Sequence, residues 1–156
     1  AGADPLLRSG LISDEPTHLI KILSEVAVGK RKKISIYGND YNTKDGTAIR
    51  DYIHVSDLAD LHLIAAEYLL KNKTTDIFNC GYGKGYSVLE VIKAANIITG
   101  NKIEFEYNKR RPGDSEQLIS NIEKLKNKMN WNPKFNNLNL IIKTAIDWEN
   151  ICEKYI

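Results

Sequence analysis

Two arginine-bearing turns are the parts of this sequence best suited to chemistry, and that chemistry is the gripping of an anion. The first lies in the run Tyr37-Gly38-Asn39-Asp40-Tyr41-Asn42-Thr43-Lys44-Asp45-Gly46-Thr47-Ala48-Ile49-Arg50-Asp51-Tyr52-Ile53-His54-Val55. Its first half is crowded with Gly, Asn and Asp, which let a backbone turn sharply or take left-handed conformations. Its second half alternates, so Tyr52 to Val55 reads as a short strand with Arg50 delivered at its edge. The competing reading is a solvated Arg50–Asp51 pair, since most surface ion pairs do little. The second turn is Asn108-Lys109-Arg110-Arg111-Pro112-Gly113-Asp114. Pro-Gly-Asp sets a turn, and guanidinium forks match phosphate oxygens two at a time. A plain charged loop would have the same composition.

A helix start supplies a third anion-favouring element. Glu15-Pro16 precedes Leu19, Ile20, Leu23, Val26 and Ala27 on one helical face, with Thr17 as cap and Gly29 as stop. The basic cluster Gly29-Lys30-Arg31-Lys32-Lys33 that follows reads as a solvated helix end, where cations are favoured for dipole reasons. Gly81-Tyr82-Gly83-Lys84-Gly85-Tyr86-Ser87 opens another helix but misses both phosphate-loop patterns. Tyr86 stands where the third glycine of a dinucleotide loop belongs, and no Gly-Lys-Ser/Thr triplet follows. It reads as a tight strand-to-helix turn capped by Ser87.

Other chemistry finds no support. His18, His54 and His62 sit in no nucleophile or metal-ligand motif, and Cys80 and Cys152 form no paired spacing. The two cysteines read as buried free thiols of a reducing compartment. With 22 basic against 20 acidic residues, the net charge of +2 argues against a dedicated nucleic-acid binder. No apolar run is long enough to span a bilayer, and no signal peptide is evident. The 156 residues, 42% apolar, suit one globular α/β domain. The start Ala1-Gly2-Ala3-Asp4-Pro5, without an initiator methionine, reads as a piece of something longer.

The elements that must position these turns follow from periodicity. Ile34 to Tyr37 alternates as a strand feeding the first turn. Asp57 is placed to cap a helix from about Leu58 to Leu70, with Leu58, Leu61, Ala65 and Leu69 inward. Asp76 to Cys80 reads as a buried strand, Val88 to Ile98 as a helix, and Lys102 to Tyr107 as a strand leading into the second turn. A short helix from Ile122 to Met129 and a final one from about Leu138 to Cys152 complete the chain, with Trp131 and Trp148 as core or docking residues.

The run from Tyr37 to Val55 resembles the signature of UDP-glucose 4-epimerases, in the extended branch of the short-chain dehydrogenase/reductase superfamily. The pieces Ala1 to Pro5, Val26-Ala27-Val28-Gly29, Asp57-Leu58-Ala59, Asn79-x-Gly-x-Gly-x-Gly-x-Ser-Val88, Arg110 to Asp114 and Asn130-Trp131 match in the same order. The resemblance implies that residues 1–156 are the carboxyl-terminal, UDP-sugar-binding half of an extended Rossmann-type fold, with mixed helices and short strands. The amino-terminal half of that family carries the Rossmann glycine motif, the NAD-binding strands and a catalytic Tyr-x-x-x-Lys, none of which occurs here.

Carried over residue by residue, the resemblance makes Arg50 and Arg111 a clamp on the UDP-sugar diphosphate. Asp114 would accept from the ribose or hold Arg111. Ser35, Ile36 and Tyr37 would line the uracil slot, and His18 and Leu19 would sit at a helix N-terminus facing the phosphates. Lys21 stands where the family has proline, and Leu118 stands near the position that limits sugar size. The implied activity interconverts UDP-glucose and UDP-galactose, in galactose metabolism, by transient oxidation at C4 with enzyme-bound NAD. A cytoplasmic homodimer is implied for the intact enzyme, with this half inactive alone. The alternatives are a sister nucleotide-sugar epimerase or dehydratase, or a non-catalytic remnant. A strand at Ile77 to Cys80 would normally pair with a sheet of the other half, so the chain by itself should expose apolar surface.

Overall fold

A computed structural model describes residues 1–155. Helix α1 (Leu19–Ala27) is followed by strands β1 (Ile34–Tyr37) and β2 (Ile49–Asp51), helix α2 (Val55–Asn72) and strand β3 (Gly85–Ser87). Helix α3 (Val88–Thr99), strands β4 (Phe105–Asn108) and β5 (Gln117–Leu118), and helices α4 (Glu123–Lys128) and α5 (Leu138–Ile151) complete the order before a short 3-10 turn. The strands make two small sheets. β1 pairs in parallel with β4, from Ile34 opposite Phe105 to Tyr37 opposite Asn108. β2 lies between β3, antiparallel, and β5, parallel, so that Arg50 stands opposite both Tyr86 and Leu118.

The core forms where three amphipathic helices meet β1. Ile20 and Leu23 of α1, Val91 and Ala95 of α3, and Ile141 and Ile142 of α5 close over Ile34 and Ile36. Burying each such side chain contributes about 1.5–3 kcal/mol, which holds β1 and the start of α1 in fixed relation. Beneath α2, Leu61, Leu125 and Met129 form a smaller cluster.

Helix caps are where the sequence reading and the structure part. α3 begins as expected: Ser87 Oγ accepts from Glu90 N while the Glu90 carboxylate accepts from Ser87 N, a capping box. α1 is capped at His18 rather than Thr17, and without a side-chain bond. α2 starts at Val55, not at a cap on Asp57, so the expected strand from Tyr52 to Val55 does not form and the strand is Ile49–Asp51 instead. The reason is His54. Its Nδ1 accepts from Ser56 N at 3.1 Å, which ends the extended run and caps the helix.

The expected strand from Asp76 to Cys80 is likewise not built. No strand among the described residues pairs with it, Ile77 is 82% exposed, and Cys80 is exposed rather than buried. Leu63, Leu69 and Leu70 of α2 are also exposed, so Leu69 does not face inward as its spacing suggests. The apolar surface expected around this strand is therefore present.

His54 also ties stability to pH. It is fully buried, stacked on Phe135 with ring centroids 4.6 Å apart, and its Nε2 lies 3.2 Å from Thr144 Oγ1. With Nδ1 accepting, the single ring proton sits on Nε2 and the imidazole is neutral. Burial pushes its pKa below the ordinary 6.5. As pH falls through 6.5 the unfolded chain takes up a proton that the folded one refuses. The contribution of neutral His54 is thus complete above pH 6.5 and declines below it by up to about 1.4 kcal/mol per pH unit. Denaturant unfolding at pH 7.0 and 5.5 should show this loss, and equal stabilities would rule out the linkage.

Candidate nucleotide-sugar site

Six of the residues singled out by sequence surround one cavity of about 330 Å³: Ser35, Ile36 and Tyr37 from β1, Arg50 from β2, and Arg111 and Asp114 from the second turn. Leu19, at the first turn of α1, lines it as well. Residues from four separate stretches of chain therefore converge. The β1–β4 pairing brings the second turn beside Tyr37, because β4 ends at Asn108, opposite Tyr37. The core packing of α1 against β1 brings the helix start to the same place.

The two arginine turns are joined by an ion pair, though not the one expected. Asp114 Oδ1 accepts from Arg50 Nη2, whereas no contact ties Asp114 to the Arg111 side chain. Arg50 Nη1 also donates to the Ile49 carbonyl at 2.7 Å, so the guanidinium is fixed in orientation by two bonds. Arg111 instead lies over the Tyr37 ring, 3.8 Å from its centroid. The tandem arginines have divided roles. Arg110 bonds Asp40 at 2.7 Å and covers the Tyr41 ring at 4.0 Å, which fastens the first turn to the second.

Two expected site residues lie elsewhere. His18 is exposed and lines a neighbouring, larger cavity of about 610 Å³ between the amino-terminal segment, α1 and α5. Leu118 is 55% exposed on β5 and lines neither cavity. Lys21 is almost buried and spans to α5, where the Glu149 carboxylate takes both it and Lys30. Burial alone would raise the Glu149 pKa, but hydrogen bonds from the two lysines hold it below the usual carboxylate range.

Several site residues were not foreseen. Arg31 and Lys33, read as a solvated helix end, line the smaller cavity, so its wall carries four cations against the single carboxylate of Asp114. No periodicity signals this, because β1 begins at Ile34 and carries the end of the cluster onto the cavity wall. Tyr52 borders both cavities, and burial pushes its phenol up to about 12, so it stays a hydroxyl at neutral pH.

The glycine turn at 81–83 is no phosphate cradle, because the anion in it belongs to the protein. The Asp51 carboxylate accepts from Tyr82 N at 3.1 Å, Gly83 N at 2.9 Å and Ser120 N at 3.3 Å. A Cβ at Gly81 would lie 2.4 Å from Asp51 Oδ2, which explains the glycine. Asp51 is therefore a structural clasp rather than a solvated partner of Arg50, and this turn offers no seat for a dinucleotide pyrophosphate. Among the described residues no group of side chains could hold a metal ion, and no helix is long and apolar enough to cross a membrane.

Comparison with known proteins gives this geometry a context. Over 156 residues the chain is 41% identical to the UDP-glucose 4-epimerase of Azospirillum brasilense, covering 100% of this chain and 45% of that protein. It resembles the solved UDP-glucose-4-epimerase from Stenotrophomonas maltophila, which holds NAD and formylated UDP-arabinopyranose. The TM-score is 0.93 at 30% identity, over 99% of this chain and 46% of that one. It is 46% identical to the UDP-Glc/GlcNAc 4-epimerase from Campylobacter jejuni, with a TM-score of 0.78 over 96% of this chain and 44% of that one. The chain thus spans a little under half the length of these relatives. Its residues 13–144 match the model of the GDP-mannose 4,6 dehydratase family, and the chain belongs to that family.

Proposed function

We propose that this chain is the UDP-sugar-binding part of a UDP-glucose 4-epimerase, corresponding to the carboxyl-terminal half of such enzymes. The observation that carries the reading is the convergence of Arg50, Arg111 and the Ser35–Tyr37 strand on one cationic cavity. Guanidinium groups suit a diphosphate, and an aromatic ring beside exposed strand groups suits a planar base. Relatives named as UDP-glucose 4-epimerases, one of them solved with a UDP-sugar, support the same ligand class.

NAD accompanies the Stenotrophomonas relative. The glycine turn here, plugged by Asp51, does not fit a dinucleotide, so on this reading the cofactor is held mostly by the remainder of the enzyme and this chain supplies substrate binding. The intact enzyme would work as a cytoplasmic homodimer, two points that rest on the family resemblance. Leu118 would act as its sugar-size gate and admit N-acetylated sugars, as the name of the Campylobacter relative suggests for that enzyme. Competing UDP-Glc against UDP-GlcNAc in the intact enzyme tests the gate, and rejection of the acetylated sugar sinks it.

Calorimetric titration with UDP tests the main reading. The chain should bind UDP, and Arg111→Ala should weaken binding about 10- to 100-fold, as expected for the loss of a charge-assisted contact. No UDP binding would favour a non-catalytic remnant. Saturable NAD binding by the chain alone would overturn its placement as the substrate half.

A further inference from the structure

We infer that Arg111 is a ligand-displaced latch: its guanidinium rests on the face of Tyr37 that a nucleobase would take, and transfers to the phosphates when the base arrives. This rests on the nucleotide-sugar reading of the smaller cavity and adds to it an order of events and a basis for selectivity.

Three of the four cations lining the cavity are already committed to carboxylates. Arg31 is held by Glu25 at 2.9 Å, Lys33 by Glu106 at 2.5 Å and Arg50 by Asp114. Arg110, next in the chain, is held by Asp40 at 2.7 Å. Among the described residues the Arg111 guanidinium has no carboxylate partner and lies on the Tyr37 ring, 3.8 Å from its centroid. A cation–ring contact at an exposed site is weak. It is strong enough to park a side chain and too weak to keep it from a phosphate.

The surrounding backbone lets the side chain move without the loop moving. Before Arg111, the chain is anchored by the β4 pairing of Asn108 and by the Arg110–Asp40 bond. After it, the chain is anchored by Asp114 on Arg50. Between the anchors, Arg111, Pro112 and Gly113 are exposed, and Gly113 has φ +76° with open space around it. Tyr37 is itself 36% exposed and ends β1 directly opposite Asn108, so ring and guanidinium start side by side.

A base stacking on Tyr37 must lift Arg111 from the ring. Base–aromatic stacking is worth more than an exposed cation–ring contact, and the released guanidinium then gains a phosphate partner. A nucleotide therefore offsets the lifting with its own base. A phosphate compound lacking a base has to draw Arg111 away with nothing to replace the ring contact. The latch makes phosphate binding depend on base binding.

Titration of the chain with UDP and with inorganic pyrophosphate, compared between the unsubstituted chain, Tyr37→Leu and Tyr37→Phe, tests this. Tyr37→Leu should weaken UDP binding about 5- to 100-fold through lost stacking. The same change should tighten pyrophosphate binding about two- to fivefold, by freeing Arg111. Tyr37→Phe keeps the ring and should restore both behaviours. If pyrophosphate binds Tyr37→Leu no better than the unsubstituted chain, the latch is wrong, while UDP binding to the unsubstituted chain would leave the site standing. If the unsubstituted chain does not bind UDP, both fail. A second measurement needs no variant: the Arg111 side-chain protons should show an upfield ring-current shift by NMR in the free chain and lose it on adding UDP. Persistence of that shift in the UDP-bound chain would overturn the proposal even if Tyr37→Leu does not fold.

Discussion

Replacing Asp57 by alanine should lower the unfolding free energy by about 3–5 kcal/mol, among the largest effects of any single side chain here. Asp57 is 1% exposed, and its bonds reach outside its own helix. Its carboxylate accepts from Lys134 N at 2.8 Å, Phe135 N at 2.9 Å and Tyr82 Oη at 2.5 Å. Truncation strands three donors in a site with little water, and the cost is that of leaving them unmade rather than the modest net worth of three bonds. The damage would spread, because Tyr82 Oη also accepts from His54 N at 3.1 Å, and Phe135 carries the ring stacked on His54. Asp60 supplies the control. It reaches Lys134 at 3.4 Å across an exposed surface, and Asp60→Ala should change stability by less than about 1 kcal/mol. Urea unfolding of both variants decides the matter. A loss below about 1 kcal/mol for Asp57→Ala would mean that the three donors find other partners.

Asp57 also shows what kind of information a sequence withholds. An aspartate just ahead of an apolar helical run reads as a helix cap, and the local rule for such caps is sound. Here His54 takes that role three residues earlier, and Asp57 is used at long range, by backbone groups 77 and 78 residues away. Asp51 is a parallel case, bonding turns 31 and 69 residues on. Some local patterns held where the partner is local, although the caps of α1 and α2 did not. The Ser87 cap and the spans of α3 and α5 lie close to where composition and periodicity put them. Strands fared worse wherever their partner was not readable: Ile77 to Cys80 has the composition of a buried strand and none of its pairing.

The site was more legible than the fold, for a related reason. Arg50, Arg111 and the β1 strand were singled out by residue type and by resemblance, and those marks do not depend on knowing contacts. What could not be read was commitment, meaning which cation is already spoken for. Arg110 and Arg111 are adjacent and chemically equal in sequence, yet Asp40 claims the first and only an aromatic ring holds the second. Asp114, expected to accept from the ribose or to hold Arg111, is bonded to Arg50.

The first turn gives the second large prediction, since its shape depends on one glycine. Gly46→Ala should cost about 3 kcal/mol or more and weaken UDP binding as well. Gly46 has φ +77°, and a Cβ there would lie 2.2 Å from the Asn39 carbonyl oxygen and 2.9 Å from its carbon. The left-handed conformation alone costs a non-glycine residue about 1–2 kcal/mol. The overlap adds to this, because the obstacle is backbone and cannot rotate away. The loop has little slack with which to relax. Tyr41 N donates to Gly46 O at 3.0 Å, Thr43 Oγ1 donates to Thr47 O at 2.8 Å, and Asp45 accepts from Thr47 N at 2.9 Å and from Ser87 Oγ at 2.5 Å. Strain at Gly46 should therefore pass to Ala48 in the cavity wall and to Arg50 two residues on. Gly100→Ala separates the two contributions. Gly100 has φ +68°, but no atom lies within 4 Å of the place its Cβ would take, so its replacement should cost only the conformational share and leave UDP affinity intact. Equal losses in the two variants would show that the Asn39 contact yields easily, and that the turn holds Arg50 less firmly than its hydrogen bonds imply.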